Sequence, residues 1–167
     1  SLTTDSTASS IAFVDSTYFE FTNGATFTQD LATLELGGGS INKFSASSNF
    51  NINSGVVKFN GNATTTFSGN SGATIHGGAI TIEAGHSIIL DDSFFLLNSG
   101  ILSYSVSDAA ITLQNNAYMN HSLPFVANYA NTAVTLTDST IQFNQGTTSF
   151  SGVSTVRLDS SLIRLCG

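Results

Sequence analysis

Positive charge is scarce in this sequence. Four Lys and Arg stand against eleven Asp and Glu in 167 residues, for a formal net charge of −7. So few cations cannot neutralise a run of phosphates, which excludes a nucleic-acid partner. Charged residues of either sign make up only 9%, against roughly 25% in an average soluble domain. Proline, cysteine and methionine occur once each and tryptophan not at all. The lone Cys166 cannot form an internal disulfide; it is either a plain thiol or one half of a bridge to a neighbour or to further chain. No apolar run approaches the ~18 residues of a membrane-spanning helix, so no span is expected in this segment. The polar opening, Ser1-Leu2-Thr3-Thr4-Asp5, carries no basic-then-apolar leader and reads as the interior of a longer chain.

What is present is apolar residues and small polar ones. Hydrophobic residues reach 41%, thirteen of them Phe, so composition does not point to disorder. The polarity comes from Ser, Thr, Asn and Gly, a pattern suited to a repetitive, β-rich protein of the cell surface or extracellular space. An apolar-x-apolar step recurs at one constant interval as Ile11-Ala12-Phe13, Leu34-Glu35-Leu36, Val57-Lys58-Phe59 and Ile80-Thr81-Ile82. It returns after a longer interval as Ile111-Thr112-Leu113, then at about the original spacing as Val134-Thr135-Leu136 and Val156-Arg157-Leu158. Two further columns share the period: Phe21, Phe44, Phe67, Leu90, and Phe27, Phe50, Ala73, Leu96. Three short apolar segments per period, alternating inside and out, are strands on the three faces of a coil. No window carries a 3.6-residue apolar stripe, so no substantial helix is expected.

A strand of a few residues buries its apolar side only when another coil stacks on it. The expected fold is therefore an all-β, single-domain parallel β-helix over residues 1–167, about seven coils of roughly 23 residues each. Right-handed coiling follows by analogy with parallel crossovers. Phe13, Leu36, Phe59 and Ile82 form one interior ladder; Phe21, Phe44, Phe67 and Leu90 form another. On the outer surface the register sets Glu35 beside Lys58 and Glu20 beside Lys43, opposite charges on neighbouring strands.

Phe-x-x-Asn occurs at Phe50–Asn53, Phe59–Asn62, Phe67–Asn70, Phe95–Asn98 and Phe125–Asn128, and Gly77-Gly78-Ala79-Ile80 occurs once. Together these resemble the repeats of the polymorphic outer membrane proteins, autotransporter-like surface proteins of chlamydiae; similar repeats occur in surface proteins of other organisms. The likeness spans residues 50 to 128. It implies a β-helix and a role in adhesion.

Candidate chemistry is thin. β-Helix enzymes acting on polysaccharides need clustered acids, for acid–base work or for calcium. Here the outward first column offers one acid, Glu35, and the adjacent pair Asp91-Asp92 falls where a turn is expected, with calcium as its other reading. His76, His86 and His121 have no metal spacing and read as surface or turn residues. Gly37-Gly38-Gly39 lacks the Lys and helix of a phosphate loop. Thr81, Thr112 and Thr135 would make a short outward Thr ladder, the kind of array that can order water against ice. Asn62-Ala63-Thr64 and Asn120-His121-Ser122 fit the N-glycosylation pattern. No catalytic residue, metal or cofactor is expected.

The long interval between Ile82 and Ile111 implies that one coil carries an insertion, which includes the alternating stretch Ile101-Leu102-Ser103-Tyr104-Ser105-Val106. In that coil the period sets Ile89, Phe95 and Leu97 outward. Such a patch suits an intersubunit contact. Two alternatives stay open: the insertion folds back with Leu102, Tyr104 and Val106 over the patch, or a one-residue slip turns the residues inward. The first and last coils show no cap, so further chain or another subunit is expected to stack on them. The functional expectation is an extracellular structural or adhesive element of a surface layer, fibre or filament. It is not an enzyme, and its partner is itself or neighbouring domains of its own chain. The alternative is a carbohydrate-active β-helix enzyme or glycan-binding module, with a glycan as ligand.

Overall fold

A computed structural model describes residues 2–4, 10–13, 17–30, 33–83, 85–104, 109–122, 125–130, 132–144, 147–152 and 154–166. Among these residues there is no helix, and three parallel sheets wind into a β-solenoid of eight, seven and seven strands. The first sheet runs from Leu2–Thr4 through Thr26–Gln29, Asn49–Ile52, Gly72–Ile75, Phe94–Leu97, Tyr118–His121 and Thr140–Phe143 to Leu162–Leu165. The second runs from Ser10–Phe13 through Thr33–Leu36, Val56–Phe59, Ala79–Ile82, Gly100–Tyr104 and Phe125–Ala130 to Thr147–Ser151. The third runs from Tyr18–Phe21 through Ile41–Phe44, Thr64–Ser68, Ser87–Asp91, Ala109–Gln114 and Thr132–Thr137 to Thr155–Asp159. Each strand pairs with the strand three elements earlier and three later, so every coil contributes one strand to each sheet.

Alternation within the strands sends every second side chain into the lumen. Phe44, Phe67, Leu90, Leu113 and Leu136 are all buried, and each is the cross-strand partner of the next. Phe21 begins that column, half-buried against the core. Leu36, Phe59 and Ile82 form a second buried column. Phe13 pairs with Leu36 through the backbone, and its side chain lies outside those described. The rings stack along the rod: Phe44 and Phe67 have centroids 4.8 Å apart at 15°, close to the strand spacing itself. Glu35 pairs with Lys58 and Glu20 with Lys43 across adjacent strands.

Three sequence expectations change here. The enlarged coil does not exist. The strand that follows Ala79–Ile82 in the second sheet is Gly100–Tyr104, with Ile80 paired to Leu102 and no residue left over. The steps at Ile111, Val134 and Val156 belong to the third sheet, after Ile88–Leu90. The stretch from Ile101 is thus an ordinary rung with Leu102 buried in it, while Val106 and the side chain of Tyr104 lie outside the described residues.

Phe95 and Leu97 are 1% and 0% exposed, so they are lumen residues and not an interface. Phe95 pairs with Ala73 in the column of Phe27 and Phe50, the place sequence periodicity assigned to Leu96, and Leu96 is turned outward. Ile89 does face outward, half-buried between Thr66 and Thr112. The Thr ladder is also divided. Thr81 lies in the second sheet, whereas Thr112 and Thr135 neighbour each other in the third.

The slip at Phe95 has a local cause, the corner between the third and first sheets. Asn23-Gly24, Ala46-Ser47, Gly69-Asn70 and Asn115-Asn116 each place two consecutive residues at positive φ. In those coils the first inward position of the next strand comes six places after the last inward position of the one before, as from Phe67 to Ala73. Asp92, Asp138 and Ser160 are single positive-φ residues at the same corner, and there the step is five, as from Leu90 to Phe95. One left-handed residue fewer shortens the corner by one and shifts the following strand by one. Asn, Asp and Gly tolerate this conformation better than other residues, which is why they collect here.

Candidate functional site

The alternation of long and short corners shapes the outer surface. Asp92 forms a short corner between the long corners at Asn70 and Asn116. The result is a notch of about 180 Å³ lined by Asn70, Asp92, Ser93, Phe94, Asn116 and Tyr118. Backbone bonds hold the three corners against one another: the Asn70 amide donates to the Asp92 carbonyl at 2.7 Å, and that of Asp92 to the Gln114 carbonyl at 3.1 Å. The amide of Tyr118 donates to the Ser93 carbonyl at 2.9 Å.

Phe94 and Tyr118 are directly paired, outward-facing and half-buried. The preceding residue in their row is Gly72, buried because the Phe94 ring lies over it. A Cβ built on Gly72 would meet the Phe94 backbone carbonyl and fall 2.6 Å from Cε2 of its ring, so no larger residue fits there. The side chains of Asn70, Asp92 and Asn116 hydrogen-bond to no other described residue, while neighbouring polar groups are engaged: Asn115 Nδ2 donates to Asp91 Oδ1 at 2.7 Å. Just inside the corner runs a serine row. The hydroxyls of Ser48, Ser71 and Ser139 donate to backbone carbonyls, that of Ser71 to Phe44 at 2.7 Å. Ser93, in the floor of the notch, is 6% exposed and its hydroxyl has no protein partner. Asp91 is thus an outward strand residue and Asp92 a corner; they do not form a paired-acid site.

The histidines divide differently from the sequence expectation. His76 is exposed, but His86 and His121 are 0% and 2% exposed. His86 ends a buried polar chain. Asn42 Nδ2 donates to Ser40 Oγ at 3.1 Å and, more weakly, to Thr65 Oγ1 at 3.4 Å, and Thr65 Oγ1 lies 3.2 Å from His86 Nε2. His121 Nε2 lies 3.0 Å from the buried hydroxyl of Tyr129. Burial pushes His86 down to about 4, partly opposed by the Asn60 backbone carbonyl, and His121 down to about 3. Burial also raises the Tyr129 phenol. Period counting places these residues but does not reveal their burial; the signal lay in the tight corners that fold His86 under Phe59, ring centroids 5.1 Å apart.

The two sequons also differ. Asn62 is exposed at a corner. Asn120 is half-buried on a strand, donating from Nδ2 to Ser122 Oγ at 3.2 Å and accepting from Asn144 Nδ2 at 2.8 Å. Glu35 Oε1 accepts from Asn60 Nδ2 at 2.6 Å. Among the described residues no group of three His, Cys, Asp or Glu could hold a metal ion, and no helix is long and apolar enough to cross a membrane.

Phe150, Val156, Leu158 and Leu165 occupy inward positions, in register with Tyr129, Val134, Leu136 and Phe143. They are nevertheless 46%, 42%, 47% and 78% exposed, since no described coil covers them. Compared with protein-family models, curated proteins and solved structures, the chain matches none.

Proposed function

We propose that this chain is a length of right-handed parallel β-helix, about seven coils long, serving as a structural or adhesive rod in an extracellular surface layer, fibre or filament. The observation that carries the reading is the regular stack itself: three sheets run unbroken through seven or eight parallel strands around a lumen of apolar ladders. In this reading copies continue the stack end to end through the inward positions of the last described strands, among them Val156 and Leu165. The handedness rests on the strong preference of parallel crossovers, and the coil count on three strands per coil in sheets of eight, seven and seven. The low charge content and the Phe-x-x-Asn and Gly-Gly-Ala-Ile motifs support a surface location and the resemblance to polymorphic outer membrane proteins. Phe50, Phe59, Phe67 and Phe95 of those motifs are all buried in the lumen, and the Asn three residues on lies outside the strands in each case. In this reading the rod is not an enzyme.

Electron microscopy of the purified chain beside a Val156→Lys, Leu165→Lys variant tests it. The reading expects end-to-end rods or fibres for the parent and single short rods for the variant. Single short rods from both, at concentrations where the parent saturates any association, would refute it.

A further inference from the structure

We propose that the notch at the Asp92 corner is a binding subsite for one pyranose unit of a neutral oligosaccharide. The inference stands apart from the rod reading, because an isolated chain carries the whole notch.

Its components match the two chemistries of a sugar ring. A pyranose presents C–H groups on its faces and hydroxyls around its rim. Phe94 and Tyr118 supply adjacent aromatic surfaces, whose negative faces attract the slightly positive C–H groups. Asn70 and Asn116 supply amides that both donate and accept, and Asp92 a carboxylate that accepts, which is the complement a ring of hydroxyls requires. These three polar side chains make no competing bond to described residues, so binding does not have to break one. The notch holds about 180 Å³. That is below the roughly 300–1,000 Å³ of sites that enclose a drug-sized ligand, so it suits one unit of a chain lying along the rod.

The notch is also built into the backbone. It exists because a corner with one positive-φ residue sits between two corners with two, and because Gly72 leaves room for Phe94 to pack against it. Among the seven described corners of this kind, only Asp92 has a long corner on both sides; Asp138 is flanked by Asn115-Asn116 and by the short Ser160 corner. An anionic glycan is disfavoured by the Asp92 carboxylate and by the net charge of −7.

The test is titration calorimetry and saturation-transfer NMR with cellohexaose, chitohexaose, xylohexaose and mannohexaose. It uses the parent chain, Tyr118→Ala, Asp92→Asn and a control, Thr81→Ala, on a different sheet. The proposal expects saturable binding of at least one probe, weakened at least tenfold by Tyr118→Ala and several-fold by Asp92→Asn, and unchanged by Thr81→Ala. Asn is at home at positive φ, so Asp92→Asn keeps the corner and decides the matter if Tyr118→Ala does not fold. Absence of saturable binding to all four probes, or binding that neither variant weakens, overturns the proposal.

Discussion

Lowering the pH from 7.5 to 5 should cost this fold about 4 kcal/mol through two histidines. His86 sits against Thr65 and the Phe59 ring, and His121 against Tyr129 and the Phe143 ring, with no carboxylate among those contacts to welcome a proton. Their imidazoles are held near 4 and 3 in the folded chain, against 6.5 when unfolded. Between these values the unfolded chain binds the protons and the folded chain does not. The stabilisation is therefore fully present above pH 6.5 and is lost as the pH falls towards the folded values. At pH 5 each histidine accounts for about 2 kcal/mol, and only below pH 3 does the sum approach about 8 kcal/mol. Total stabilities are roughly 5–15 kcal/mol, so acid unfolding near pH 3–4 is expected. The assay is urea denaturation followed by far-ultraviolet circular dichroism. With a slope of about 2 kcal/mol per molar urea, the midpoint should fall by about 2 M between pH 7.5 and 5. His86→Gln, which keeps a polar group beside Thr65, should remove about half of that shift. A midpoint that moves by less than about 0.3 M, or a shift that His86→Gln leaves whole, would show that these imidazoles are not held neutral by burial.

Phe44→Ala removes a ring stacked between Phe21 and Phe67 and should destabilise by about 3–5 kcal/mol in the same assay, whereas Ile41→Ala, at a 46% exposed outward position, should cost less than about 1 kcal/mol; equal effects would contradict the assigned register. Gly72→Ala, whose Cβ would meet both the carbonyl and the ring of Phe94, should cost about 1–3 kcal/mol, and a melt identical to the parent would show that the close approach of these two strands does not need glycine. Secretion from a glycosylating host should add one glycan, at Asn62 and not at Asn120, whose amide is already bonded to Ser122; peptide mass spectrometry finding the glycan on Asn120 would contradict this.

The fold was legible in the sequence where the coil length is constant. The third sheet keeps one unchanging step from Phe21 to Leu136, and the alternation in each strand is visible as apolar-x-apolar. Fixed-period counting failed at the Asp92 corner, where one residue is missing, and the error carried forward into an imagined insertion and an imagined patch at Phe95 and Leu97. A signal was available. Asp-Ser marks two of the short corners, at Asp92 and Asp138, where the long ones carry Asn-Gly, Ala-Ser, Gly-Asn or Asn-Asn. The notch was illegible for a different reason. Asn70, Asp92 and Asn116 lie in separate repeats and read singly as turn residues, and only the inequality of neighbouring corners brings them to one depression. His86 was missed because a turn residue was equated with an exposed one, whereas this corner folds its side chain against Phe59; His121 was missed because the slip at Asp92 hid its place as an inward strand residue paired with Leu97 and Phe143.

The corners and the strands respond to sequence change by different rules. A residue lost inside a strand would exchange lumen for solvent along the rest of that strand. A residue gained or lost at a corner exchanges one left-handed residue for two, or two for one, and leaves the lumen intact. The residue missing at Asp92 is restored before the third sheet: nine positions separate Leu102 from Ile111, where eight separate Ile80 from Ile88. Such a rod can acquire steps, recesses and ridges along its flank by single insertions and deletions, with no compensating change in its interior. Its relief and its stability can therefore diverge independently, and two such rods with the same lumen can present unlike surfaces to whatever they meet.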